Sequence, residues 1–170
     1  MVRHGKKGDL RALLSIYNEA ILGGTASFEV TPLTYEEGEE WLLSHHEEYP
    51  LVVYEKDGSV LGYASLSPFG RKRELAYGIT AELSIYIHSD AQGLGLGRTL
   101  MSAIITEAEQ SDKLKNIISV ITEGNEPSVA LHKKMGFVYG GRLNGVAYKN
   151  DEQLSVLFYQ KNLVVKKDVV

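Results

Sequence analysis

Residues 85–101 read IYIHSDAQGLGLGRTLM, an alternating apolar run, a polar link, glycines at 93, 95 and 97, and then residues suited to a first helical turn. A strand that passes through glycines into a helix can receive an anion. Amides at a helix N-terminus point outward unpaired, the helix dipole adds partial positive charge, and glycine lets a ligand approach the main chain. Successive amides in such a turn make an anion nest. The same glycines would also serve a plain chain turn. Spacing removes two nucleotide readings. A GxGxxG fingerprint fails because its third position falls on Arg98 when counted from Gly93 and on Leu100 from Gly95. A P-loop fails because no lysine stands where a terminal phosphate would need it.

Working outward, Thr80–Ile87 alternates as a strand, and Leu100, Ile104 and Ala108 recur on one face of the helix that follows. Ile117–Ile121 is a β-branched strand, Pro127 opens another helix to about Met135, and two strands follow near Phe137–Leu143 and Gln153–Lys161. Upstream, Asp9 is placed to cap a helix carrying Leu10, Leu13, Leu14, Tyr17 and Ile21, which Gly23 and Gly24 stop. Thr34 with Glu37 has capping-box spacing for a second helix toward His45, ended by Pro50. Leu51–Glu55 and Ser59–Ser67 form a hairpin through Lys56, Asp57 and Gly58. Strands before and after helices in this order indicate an α/β (α+β) fold with a central mixed sheet flanked by helices. One domain over 1–163 and a loose tail over 164–170 are expected.

The chain has 170 residues, 44% hydrophobic and 24% charged, with a formal net charge of -4 from 18 basic and 22 acidic side chains. Such a balance gives no general field for nucleic acid or an anionic membrane, so an anionic ligand must be held locally. With no cysteine, thiolate nucleophiles, disulfides and cysteine metal sites are excluded, which suits a reducing compartment. The opening MVRHGKKGDL has no apolar signal region and no run approaches membrane-span length, so the cytoplasm is expected. His45 and His46 are adjacent, lacking the spacing of paired helical metal ligands, and no HExxH occurs, so no metal is expected.

The loop Gln92-Gly93-Leu94-Gly95-Leu96-Gly97 resembles the Q/R-x-x-G-x-G/A loop of the GCN5-related N-acetyltransferases (GNAT), which wraps the pyrophosphate of acetyl-CoA. Asn125 to Phe137, NEPSVALHKKMGF, matches the same family. YNEAI at 17–21, TASFE at 25–29, Ala76-Tyr77 and Glu82 look like its phosphinothricin and methionine sulfoximine acetyltransferase group. The resemblance implies acetyl-CoA as cosubstrate, a small amine acceptor and a homodimer. It implies cofactor contacts at Ile85, Tyr86, Ile87, Gln92 through Arg98, Asn125, Ser128 and Lys134. Read as plain residues, Asn125 and Ser128 equally suit a helix start.

Glu82 shares a strand face with Ser84 and Tyr86, opposite Leu83, Ile85 and Ile87. On its own that pattern also suits a solvated polar face; the resemblance makes Glu82 the general base. An α-amine with pKa about 8 is mostly protonated at neutral pH, and supplying its neutral form costs only about 1.4 kcal/mol, so a modest base suffices. His132, four residues before the Gly136-Phe137 pair and otherwise a surface helix residue, becomes under the resemblance an acid for the thiolate or a substrate-orienting group. The acceptor would meet Phe28, Arg73 and Tyr77, although Arg71, Lys72 and Arg73 could equally be a solvated charge run. The phosphinothricin group's G-x-K-x-x-x-W-x-D is altered here, since Gln153 and Ser155 replace its tryptophan and aspartate beyond Lys149. Acetyl transfer to a protein N-terminus or a polyamine is an alternative, as is a non-catalytic CoA-binding sensor.

Overall fold

The computed structural model describes residues 1–71 and 76–164. A seven-stranded sheet runs β1 (Val2–His4), β2 (Leu51–Lys56), β3 (Ser59–Pro68), β4 (Thr80–Ile87), β5 (Asn116–Thr122), β7 (Glu152–Asn162), β6 (Val138–Lys149) in spatial order. Every neighbouring pair is antiparallel except β4 and β5. Among the described residues, four α-helices cover it: α1 (Leu10–Leu22), α2 (Tyr35–Leu43), α3 (Leu96–Gln110) and α4 (Glu126–Lys134).

The two faces of the sheet carry separate cores. On one, Leu100, Met101 and Ile104 of α3 and Val129 of α4 pack against Leu66, Leu83, Ile117 and Ile121. On the other, Leu13 and Ile16 of α1 meet Leu51, Val53 and Tyr63, with Tyr17, Trp41 and Tyr86 at the margin. Burying each such side chain contributes about 1.5–3 kcal/mol. Alternation along β4 therefore sends Leu83, Ile85 and Ile87 toward α3, and Tyr86 toward α1.

Local signals were mostly obeyed. Thr34 Oγ1 accepts from Glu37 N at 3.2 Å and Glu37 Oε2 from Thr34 N at 2.8 Å, a complete capping box. Asp57 and Gly58 take φ of 51° and 78°, forming the two-residue turn between β2 and β3. Three expectations need correction. Asp9 stands at the N-cap of α1 without capping it, because its carboxylate is taken by Arg3 at 2.7 and 2.9 Å and by Lys6 N at 2.8 Å. Helix α2 stops at Leu43, well before Pro50. Strand β6 continues to Lys149, beyond Leu143, because irregularities between Tyr139 and Gly141 and between Leu143 and Ala147 break the alternation that would have revealed it.

Candidate active site

The site begins where two strands part. β4 and β5 pair only at Thr80–Asn116, Ala81–Ile117 and Glu82–Ile118. Beyond that point β4 stays with β3 as far as Ile87, and β5 stays with β7 as far as Thr122. A seam therefore opens immediately after Glu82. His88 N donates to Leu61 O at 2.9 Å, which places residue 88 in a hydrogen-bonded pair with β3. Counting back by twos, the main chain of Tyr86 also faces β3, while that of Ile85 and Ile87 faces the seam. Of the three strand positions expected to offer amides, Tyr86 is thus turned away and contributes its phenol to the opposite region.

Glu82 is half-buried at the last paired position, and its cross-strand neighbours are Ser67 and Ile118. Its charge acts on the Tyr86 phenol, whose pKa is raised chiefly by burial. Tyr86 stands edge-on to Tyr17 at 5.1 Å, so the carboxylate lies on the α1 side of the sheet. Across the seam, on the α3 side, lies the glycine turn.

The three glycines serve two purposes. Gly93 and Gly95 have φ of 76° and 81°, and a Cβ on either would meet nothing within 4 Å. They shape a left-handed turn around open space. Gly97 has no such torsion; a Cβ there would lie 3.0 Å from Leu131 Cδ2 and 3.4 Å from Ile87 Cδ1, so it allows α3 to pack closely. Gly95 is the N-cap of α3 and provides no side-chain cap, which leaves the first-turn amides directed at that space. Gln92 Nε2 donates to Ile87 O at 3.3 Å and ties the turn to the strand. Leu96 is buried, Leu94 is exposed, and Arg98 and Lys134 are exposed cations. These features fit a diphosphate: backbone donors, a dipole end and no obstructing side chain.

At α4, Asn125 Oδ1 accepts from Ser128 N at 3.3 Å, so this pair makes the helix start that their residue types suit. His132 departs from expectation. It is only 2% exposed, its Nδ1 donates to Ser128 O at 2.8 Å, and Nε2 lies 2.9 Å from Ser119 Oγ on β5. A carbonyl only accepts, so Nδ1 carries the proton, and in the neutral ring Nε2 accepts from the Ser119 hydroxyl. Burial holds the His132 pKa below the ordinary histidine value. A neutral, enclosed imidazole with both nitrogens engaged is a poor proton source at neutral pH. Its surface-helix appearance in sequence misled because the buried partner, Ser119, is on another element.

Burial likewise lowers the His45 pKa. Both rings remain neutral in the fold at pH values where the unfolded chain has bound a proton. Stability is therefore complete above about pH 6.5 and is lost as pH falls below it. Thermal unfolding at about pH 5.5 should give a lower Tm than at about pH 7.5; an unchanged or higher Tm would contradict the assignment.

Two of the three residues expected to meet the acceptor are among the described residues. Phe28 is partly exposed in the loop after α1, and Tyr77 is exposed with its ring 5.5 Å from Phe69, edge-on. Arg73 lies outside the described residues. Sequence reasoning missed the groups that anchor the loop after α1, Thr122 and Lys149. Thr122 Oγ1 donates to Thr25 O at 2.5 Å, and Lys149 Nζ donates to Ser27 O at 2.7 Å. Among the described residues, no three histidines or acids cluster as metal ligands, and no helix is long and apolar enough to cross a membrane. A separate pocket of about 360 Å³ between Leu43, Tyr49, Leu66 and Pro68 includes none of the expected site residues.

A strand seam beside a helix start with unpaired amides has a shape and polarity that could take an acyl-CoA. Residues 11–137 match the acetyltransferase (GNAT) family, and the chain belongs to it. It is 35% identical to an L-methionine sulfoximine/L-methionine sulfone acetyltransferase of Pseudomonas aeruginosa, over 95% of this chain and 94% of the relative. Among solved structures, a ribosomal-protein-alanine N-acetyltransferase from Brucella melitensis superposes with a TM-score of 0.90 at 38% identity, covering 96% of this chain and 99% of that one. A phosphinothricin acetyltransferase from Sinorhizobium meliloti, in complex with acetyl-CoA, gives 0.89 at 30% identity, covering 100% and 91%. The chain is accordingly an acetyl-CoA-dependent N-acetyltransferase.

Proposed function

We propose that this enzyme acetylates the α-amino group of an amino acid or amino-acid analogue, by direct attack with both substrates bound. The observation that carries this reading is the seam, which sets Glu82 on the α1 side and the glycine turn on the α3 side of one short opening. Acetyl-CoA supplies the acetyl group as an activated thioester. Gly93 through Arg98 would hold its phosphates, with Lys134 as a second cation, and Asn125 and Ser128 would border its arm. The Ile85 and Ile87 amides face the gap, where they can donate to a carbonyl oxygen as charge develops on it. Glu82 removes a proton from the acceptor ammonium. Phe28, Arg73 and Tyr77 would contact the acceptor, a cation and a phenol suiting its carboxylate. His132 is reassigned from acid to positioning residue, fixing the first turn of α4 against Ser119. No cysteine is present to carry an acetyl group between substrates.

Action in the cytoplasm as a homodimer is part of the proposal. Val138, Tyr139 and Leu143 are exposed on edge strand β6 and supply apolar surface for a second copy. The likeness to a ribosomal-protein-alanine N-acetyltransferase favours a second reading, acetylation of a protein N-terminus. Thiol release from acetyl-CoA separates the two across L-methionine sulfoximine, phosphinothricin, common amino acids, polyamines and peptides beginning with alanine. The free amino-acid analogues should turn over fastest; release confined to peptides or polyamines would overturn the acceptor assignment.

A further inference from the structure

Lys149 is the last residue of β6, yet it is only 4% exposed. A buried ammonium is unfavourable unless its donors are satisfied, and burial lowers its pKa against the opposing influence of Glu29. Its Nζ reaches the Ser27 carbonyl at 2.7 Å, from a residue far along the chain. Ser27 is 1% exposed, its hydroxyl accepts from Glu29 N at 3.2 Å, and it lowers the pKa of the Tyr17 and Tyr86 phenols against the larger effect of burial. Tyr86 shares the Glu82 face of β4. Lys149 thus ties the β6–β7 hairpin to the loop after α1 at Ser27, which neighbours the Tyr86 phenol of the strand bearing Glu82. The loop's other ends are held separately, by Thr122 on Thr25 and by Asn18, whose side chain bonds both N and O of Leu33 at 2.9 and 3.1 Å. Lys149 reaches the middle of the loop from another element, next to Phe28.

We propose that Lys149 is a positioning residue for the acceptor: by holding the Ser27 carbonyl it keeps residues 25–29 folded over the acceptor side of β4. The inference rests on the acetyl-transfer reading above. It separates function from stability. Lys149→Met removes a buried charge but leaves the Ser27 carbonyl without that donor, so the two effects on stability oppose each other while the loop loses its central tether. Cofactor binding, across the seam, should be untouched.

In Lys149→Met, KM for L-methionine sulfoximine (or phosphinothricin, if the native enzyme prefers it) should rise about tenfold or more, with acetyl-CoA affinity within about twofold. Because the native chain has no cysteine, Lys149→Cys provides a single thiol. Its thiolate displaces bromide from 2-bromoethylamine to form a thioether-linked ammonium of nearly lysine length, and this should return KM toward the native value. The comparison before and after alkylation stands even if Lys149→Met folds poorly. An unchanged acceptor KM in Lys149→Met, or a KM in the cysteine variant that alkylation does not lower, would overturn the proposal. A native enzyme releasing no thiol with any amine would instead overturn the acetyl-transfer reading.

Discussion

Glu82→Gln should lower kcat by about a hundredfold or more while leaving the acetyl-CoA dissociation constant within about twofold, because general bases contribute typically 10²–10⁴ and this one lies on the acceptor side of the seam. Glutamine keeps the volume and one acceptor oxygen, so packing beside Ser67 and Ile118 is conserved and the lost function is proton removal. The reaction then depends on acceptor already neutral in solution. With an α-amine pKa of about 8, that fraction rises from about a tenth at pH 7 to about nine-tenths at pH 9. The variant should therefore recover rate over this range more steeply than the native enzyme. Steady-state and pH-dependent kinetics check both parts. A native kcat at saturating acceptor would remove Glu82 from the mechanism.

Gly95→Val should raise the acetyl-CoA dissociation constant by more than about tenfold, since a branched side chain would enter the space before the α3 amides and the left-handed torsion would be strained. The strain itself is worth about 1–2 kcal/mol, enough to lower Tm by a few degrees without unfolding the chain. Gly97 provides the contrast. A side chain there would press on Leu131 and Ile87, so its replacement should act mainly on stability. Calorimetric titration and thermal melts distinguish the two positions. Unaltered affinity in Gly95→Val would count against the turn as a phosphate cradle.

Why were some parts legible and others hidden? Strand β4 was readable residue for residue because alternation is local, and it put Glu82 on the correct face before any partner was known. The glycine turn was readable from spacing, although not the division of labour between Gly93, Gly95 and Gly97, which depends on whether another element approaches. The seam was invisible because it is an absence of pairing between strands joined through a helix; only the register after Glu82–Ile118 reveals it. His132 read as exposed because its helix neighbours are Lys133 and Lys134, whereas its burial is created by Ser119 and Phe137 from elsewhere. Lys149 was obscured in the same way, by a partner near the other end of the chain and by irregular pairing in β6. Strand β1 was too short to carry a period.

In the proposed reaction one seam between β4 and β5 brings an acyl thioester, held by main-chain donors, to a carboxylate on the opposite side of the sheet. A crystal structure with acetyl-CoA tests it most directly. The diphosphate should lie against the amides of residues 93–98 and the acetyl end in the gap beside Ile85 and Ile87, within reach of an amine next to Glu82. A cofactor lodged elsewhere, with that gap closed by continued strand pairing, would contradict it.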